Sequence, residues 1–176
     1  MDGVRQKFRS PAHESRVSGR PPLRYNRPNS LKRKEARMAA YDPDNIFAKI
    51  LRGEIPCHKL YEDADTLAFL DIMPRTEGHT LVITKEKAPD LFGISPQGLS
   101  KLMAVVQTLA PKIKTAVVAD GVLIQQFNGA AAGQTVFHLH VHILPIKDGV
   151  ALRPQETGMA DPDALALTAE KIRTSL

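Results

Sequence analysis

Phe137-His138-Leu139-His140-Val141-His142-Ile143-Leu144 sets three of the chain's six histidines at every second position, with apolar residues between them. A period of two is the signature of a strand. Successive side chains on a strand point to opposite faces, so His138, His140 and His142 share one face while Leu139, Val141 and Ile143 share the other. The apolar face is suited to a core. The opposite face then carries a row of imidazoles, the side chain best matched to nucleophilic and acid–base work near neutral pH. Crowded imidazoles resist being charged together, a cost that chance placement on one face would rarely carry.

A shared metal ion is the main alternative for such a row, because neutral imidazole is the commonest ligand. Geometry argues against it. With a rise of about 3.4 Å per residue the outer two histidines lie roughly 13–14 Å apart along the strand. Zinc takes each nitrogen at about 2.0–2.1 Å, so one ion reaches two of the rings with ease and all three only with strain. No cysteine or carboxylate nearby in sequence completes a ligand set. The expectation is therefore no metal.

Just upstream, Asn128-Gly129-Ala130-Ala131-Ala132-Gly133-Gln134-Thr135 enters the histidine strand through small residues. Such residues let main-chain N–H groups come close to an anion. Gln134 and Thr135 add side-chain donors suited to phosphate oxygens. By itself the loop reads equally as an ordinary turn connection. Joined to three histidines on one face, it reads as a phosphate cradle beside a nucleophile.

The run from Asn128 through Pro145 resembles the signature of the histidine triad (HIT) superfamily of nucleotide hydrolases and transferases. Asn45-Ile46-Phe47-Ala48-Lys49-Ile50 with Gly53-Glu54-Ile55-Pro56 is similar to that family's opening helix and turn. Leu67-Ala68-Phe69-Leu70-Asp71-Ile72 and Gly78-His79-Thr80-Leu81-Val82-Ile83 resemble its next two strands. The resemblance covers about residues 43 to 147, and the opening helix favours the branch of HINT-type nucleoside phosphoramidases and bacterial HIT proteins.

The local patterns agree. Asp44 is a candidate cap for a short helix carrying Ile46, Phe47, Ile50 and Leu51, with Gly53 ending it. Strands are expected at about 57 to 62, 66 to 72 and 79 to 84, with Asp63-Ala64-Asp65 as a turn. Ser95-Pro96 opens a helix running to about 117, which Pro111 should kink or divide. A strand over 122–127 delivers Asn128 into the loop, and a further helix spans about 162 to 175. Closely spaced strands with one long interruption predict an α+β fold, an antiparallel sheet of about five strands with helices on one side.

A length of 176 residues gives room for one domain, and an apolar fraction of 43% can supply its core. The single cysteine, Cys57, excludes an internal disulfide and fits a reducing cytoplasm. No apolar stretch approaches the roughly eighteen residues of a membrane span, so a soluble protein is expected.

The net charge of +5 is unevenly placed. Residues 1–40 hold eleven Lys and Arg against three Asp and Glu, and residues 41–176 thirteen against sixteen, so the basic excess lies wholly in the first segment. That segment is also rich in Pro, Ser and Gly, which predicts a disordered basic extension ahead of a domain at 41–176. It could bind nucleic acid through phosphates or act as an organellar address. The favoured reading is that residues 1–37 are an upstream-start extension or a dispensable arm, with Met38 just ahead of the core.

The resemblance also implies roles. His140 is the nucleophile, attacking the α-phosphorus of a purine nucleotide to form a nucleotidyl-histidine. Its other ring nitrogen carries the proton and donates a hydrogen bond to a backbone carbonyl on the same strand. His142 contacts the phosphate and His138 supports the site, with Gln134, Thr135 and Gly133 holding phosphate and leaving-group oxygens. His79 is an additional histidine near the row, or else a surface residue at a strand end. Asp71 takes the ribose diol, Asn128 bonds near ribose and phosphate, and Ile46, Phe47, Phe69, Leu70 and Ile72 wall the base, each equally explicable as core. No cofactor is implied, and a homodimer is.

Two departures stand out. Positions at which some bacterial members carry zinc-binding cysteines hold Asn45 and Ala48, and a histidine position holds Lys87, so no zinc is expected. The segment after Pro145 lacks a common arginine, which leaves the leaving group open. The competing functional class is a nucleotide-binding protein that acts through partners without turnover; nucleic-acid binding through the tail is the least favoured.

Overall fold

The computed structural model describes residues 41–154 and 158–176, so the expectations for the basic extension lie outside the described residues. Five strands, β1 (Lys59–Glu62), β2 (Thr66–Leu70), β3 (Thr80–Thr84), β4 (Gly121–Gln125) and β5 (His140–Ile146), form one sheet in the order β1-β2-β3-β5-β4. Every pairing is antiparallel, so the α+β expectation holds. Asp63 makes the β1–β2 turn by accepting from the main-chain N–H groups of Asp65 and Thr66.

Three helices, α1 (Ile46–Leu51), α2 (Pro96–Ala116) and α3 (Pro162–Arg173), complete the domain. α2 begins at Ser95, whose hydroxyl accepts from the N–H of Gly98, and its buried residues Leu102, Val106, Leu109, Ile113 and Ala116 recur every three or four positions. That stripe packs with Ala68, Leu70, Val82, Val141 and Ile143 of the sheet and with Leu165, Ala169 and Ile172 of α3. Burying each large side chain there contributes about 1.5–3 kcal/mol.

The helices are not all on one side, as the sequence pattern suggested. α1 lies on the opposite face, where Phe47 packs with Leu67, Phe69, Leu81 and Ile83. This is why β2 and β3 are buried along their whole length.

Pro111 leaves α2 undivided. Both Pro111 and Gln107, whose carbonyl loses its helical donor, face outward, so solvent can meet the freed acceptor. The α1 cap is Asn45 rather than Asp44: the Asn45 side chain accepts from Phe47 and Ala48 N–H groups at 3.0 and 2.9 Å. Among the described residues no helix is long and apolar enough to cross a membrane.

Candidate active site

β5 is central, with His140 opposite Ile83 and His142 opposite Leu81 on β3, and His142 opposite Gln125 on β4. Cross-strand partners share a face, so the two histidines look toward the α1 side while Val141 and Ile143 enter the core beneath α2. His138 is not on the strand, which starts two residues later. It is fully buried before β5, with Nε2 at 2.8 Å from the Thr84 carbonyl and Nδ1 at 2.8 Å from the Tyr41 hydroxyl. The carbonyl can only accept, so Nε2 carries the proton and the Tyr41 hydroxyl donates to Nδ1.

The same logic sets His140. Its Nδ1 is 2.6 Å from the His138 carbonyl and must donate to it. Nε2 is left with its lone pair and has no hydrogen-bond partner among the described residues, where every buried side-chain nitrogen has one, so Nε2 itself is open to solvent. The ring is 5% exposed, packed edge-on to Phe47 and beside His142 with ring centroids 5.0 Å away in each case. Burial pushes His140 below the ordinary imidazole range, opposed by the bond to His138 and by Asp71.

His79 and His142 stack with centroids 5.2 Å apart, and His79 Nε2 is 2.9 Å from His142 Nδ1. On its far side, His79 Nδ1 meets the N–H of Arg75 at 3.3 Å and a carboxylate oxygen of Asp71 at 3.4 Å. An amide can only donate, so in the neutral ring Nδ1 accepts, Nε2–H donates to His142, and His142 holds its own proton on Nε2. Burial is the main cause that pulls His79 down to about 4, and it takes His142 to about 3 with help from the charges of His140, His79 and Arg75. His138, also through burial, falls to about 4. All four rings are therefore neutral at pH 7. Gly78 places His79 at the head of β3: its φ is +77°, and a Cβ there would come within 2.9 Å of Val117, so no other residue fits easily.

A cavity of about 380 Å³ opens beside this pair. Of the expected site residues, Asp71, His79, Thr135 and His142 line it. Arg75, Gln125, Phe127 and Met73 line it too and were not foreseen. Arg75 lies between two residues that the sequence did single out, Asp71 and His79, and Gln125 is the β4 partner of His142, which are the signals that point to them. His140 is not among the residues that line it, and its ring lies 5.0 Å from that of His142.

Other expectations need correction. Leu70 is 1% exposed and belongs to the core under α2, on the wrong face for the base. Phe47 and Phe69 meet edge to face at 5.7 Å within the α1-side core, while Ile46 and Ile72 are exposed; none of these lines the cavity.

Gln134 is 3% exposed and faces inward: its carbonyl oxygen accepts from Gly129 N–H at 2.7 Å, and its amide donates to the carbonyls of Pro89 and Val136. These three bonds brace the loop. The N–H groups of Ala132, Gly133 and Gln134 also bond within the loop, so much of the supposed cradle closes on itself. Asn128 accepts from Leu91 N–H at 2.9 Å, and Gly133, with φ +94°, ends the short 3-10 turn Ala130–Ala132. Thr135 is the loop residue left facing the cavity.

One group among the described residues could hold a metal ion, Asp71, His79 and His142, with donor atoms within 4.8 Å of one another. It is not the alternating row, whose His138 has both nitrogens engaged. An ion there would have to displace the proton between His79 and His142.

A family model described as the HIT domain matches residues 52–149. The adenosine 5'-monophosphoramidase HNT1 of Candida albicans is 38% identical over 140 residues, covering 74% of this chain and 90% of that protein. The adenylylsulfatase HINT3 of Arabidopsis thaliana is 40% identical over 114 residues, covering 65% of this chain and 58% of that protein. Among solved structures, a Hit-like protein involved in cell-cycle regulation from Bartonella henselae matches with a TM-score of 0.74 at 45% identity, over 78% of this chain and 99% of that chain.

Proposed function

The chain belongs to the HIT family, and from that premise we propose that it is a nucleotide hydrolase that splits the α-phosphate bond of a purine nucleotide through a nucleotidyl-histidine on His140. The observation that carries this reading is the 2.6 Å bond from His140 Nδ1 to the His138 carbonyl, which leaves a neutral Nε2 with a free lone pair. That nitrogen attacks the α-phosphorus, the bond to the leaving group breaks, and water then releases the nucleoside monophosphate. His142 Nε2–H donates to a phosphoryl oxygen or to a departing amine, and Thr135 adds a hydroxyl donor as charge builds. His138 anchors the carbonyl that orients His140. His79 keeps His142 in the right tautomer.

Asp71 is assigned to the ribose hydroxyls, and Ile46 and Ile72, the exposed members of the expected apolar set, to the base. Gln134, Gly133 and Asn128 hold the loop that presents Thr135. No cofactor enters the reaction. Relatives named as a phosphoramidase and an adenylylsulfatase support the α-phosphate as the point of attack. A cytoplasmic site of action goes with the free thiol of Cys57, and a homodimer is proposed to form along β4, the exposed edge of the sheet.

The test is incubation with adenosine 5'-phosphoramidate, comparing the wild type with His140→Ala and seeking the adenylylated histidine by mass. Turnover and adduct in the wild type alone support the reading. Equal turnover by both proteins overturns the nucleophile, and tight nucleotide binding without turnover moves the protein to a binding role.

A further inference from the structure

We propose that Arg75 forms a subsite for a tetrahedral oxyanion, sulfate or phosphoryl, attached beyond the α-phosphorus, and so biases the enzyme toward anionic leaving groups over amines; this rests on the hydrolase reading above. Arg75 lines the same cavity as Thr135 and His142. Its guanidinium is held from two directions by neutral acceptors, Nε donating to the Arg153 carbonyl at 2.9 Å and Nη1 to the Gln125 side-chain oxygen at 3.2 Å. A guanidinium has five N–H groups, and these contacts use two of them. Among the described residues it makes no ion pair, although the ion pairs found there engage several surface arginines and lysines. A fixed, half-buried cation without a carboxylate partner is a receptor for an anion.

The donor set exceeds what one α-phosphate requires. On the hydrolase reading its two non-bridging oxygens are assigned to His142 Nε2–H and the Thr135 hydroxyl, which line the cavity. Asp71, the carboxylate in the cavity wall, is committed to the N–H of Met73 through one oxygen and faces His79 with the other. Arg75 is thus an additional planar donor, matched to the paired oxygens of a sulfate or phosphoryl group.

The chemistry fits that placement. When His140 Nε2 bonds to the α-phosphorus of such a substrate, the P–O bond to the leaving group breaks with its electron pair on the departing oxygen. Sulfate or phosphate leaves as an anion that needs no proton, and a nearby cation stabilises it. An amine, by contrast, must take a proton as the P–N bond breaks. Arg75 therefore favours the first class of reaction.

The experiment measures kcat/KM of the full chain with adenosine 5'-phosphosulfate, diadenosine triphosphate and adenosine 5'-phosphoramidate, for the wild type, Arg75→Gln and Arg75→Lys. Arg75→Gln is expected to lower the oxyanion-to-amine ratio about 10- to 100-fold, the scale of a hydrogen bond to a charged group. Arg75→Lys, which keeps the charge without the fork, should recover part of it. A loss on one of the two oxyanion substrates alone identifies that one as the source of the anion. A ratio unchanged in both variants overturns the subsite and makes Arg75 a contact to the shared α-phosphate or a loop brace. No turnover of any substrate by the wild type overturns the hydrolase reading instead.

Discussion

His79 Nε2 lies 2.9 Å from His142 Nδ1, and one proton held between the two rings decides which nitrogen of His142 faces the cavity. Replacing His79 by Phe removes that donor and leaves His142 free to adopt either tautomer. The expected outcome is a fall in kcat of about 10- to 100-fold with the nucleotidyl adduct still formed. Rapid-quench measurement of adduct formation checks it, and an unaltered kcat removes His79 from the site.

Activity should persist well into acid. An unperturbed histidine at about 6.5 would lose its lone pair below that pH. Here burial holds His79 and His138 at about 4 and His142 at about 3, and pushes His140 downward. The acid limb of the kcat/KM profile is expected to lie below the ordinary imidazole range with a phosphate-ester leaving group. A midpoint near 6.5 would contradict the buried, neutral row.

The same shifts set the pH dependence of stability. In the unfolded chain these histidines take up protons near 6.5, while in the fold they resist until about 4. The unfolded state thus binds more protons across that window, and the stabilisation, complete above about 6.5, is lost as pH falls toward 4. Thermal melts at constant ionic strength should show a decline in Tm over that range. His138→Gln should make the decline shallower.

Tyr41→Phe leaves His138 Nδ1 buried without its donor. Such a loss costs about 1–3 kcal/mol, read as a shift of the denaturation midpoint at constant slope. Because His138 also anchors the carbonyl that bonds His140, kcat should fall modestly, by less than about tenfold.

Gln134→Ala distinguishes a brace from a phosphate ligand. It removes the hydrogen bonds to Gly129 and Val136 and the tether to the Pro89 carbonyl, so a lower Tm together with a higher KM is expected. A raised KM at unchanged Tm would return Gln134 to the phosphate.

The proposed dimer is tested on β4, where Leu123 and Ile124 are 37% and 40% exposed on opposite faces of an edge strand. Sedimentation should find two copies of the wild type and one of Ile124→Asp. A monomeric wild type would end that proposal.

The β5 register was legible because an alternation of histidine with Leu, Val and Ile has one reading on a half-covered strand. Its start was not. His138 is drawn inward by Thr84 and Tyr41, partners 54 and 97 residues away in sequence, which no local pattern reports. Phe69 and Leu70 were not separable because β2 is covered on both sides, so neighbouring apolar residues carry no clue to which layer each joins. The inward bonds of Gln134 were not legible for a related reason: an amide beside a small-residue loop is equally suited to closing the loop from within. Arg75 belongs to a connection without periodicity, and its importance emerges only when β4 and the segment near Arg153 close around it.

The acceptor that holds the His140 proton is a main-chain oxygen, contributed by a residue two positions away on the same run of chain. No side-chain replacement can delete a carbonyl. The protonation pattern of His140 is therefore set by the backbone path itself, whatever side chains form the cavity walls around Arg75 and Thr135. Substitutions in the cavity walls can therefore change what binds beside His142 while the proton on His140 Nδ1 stays where the main chain holds it.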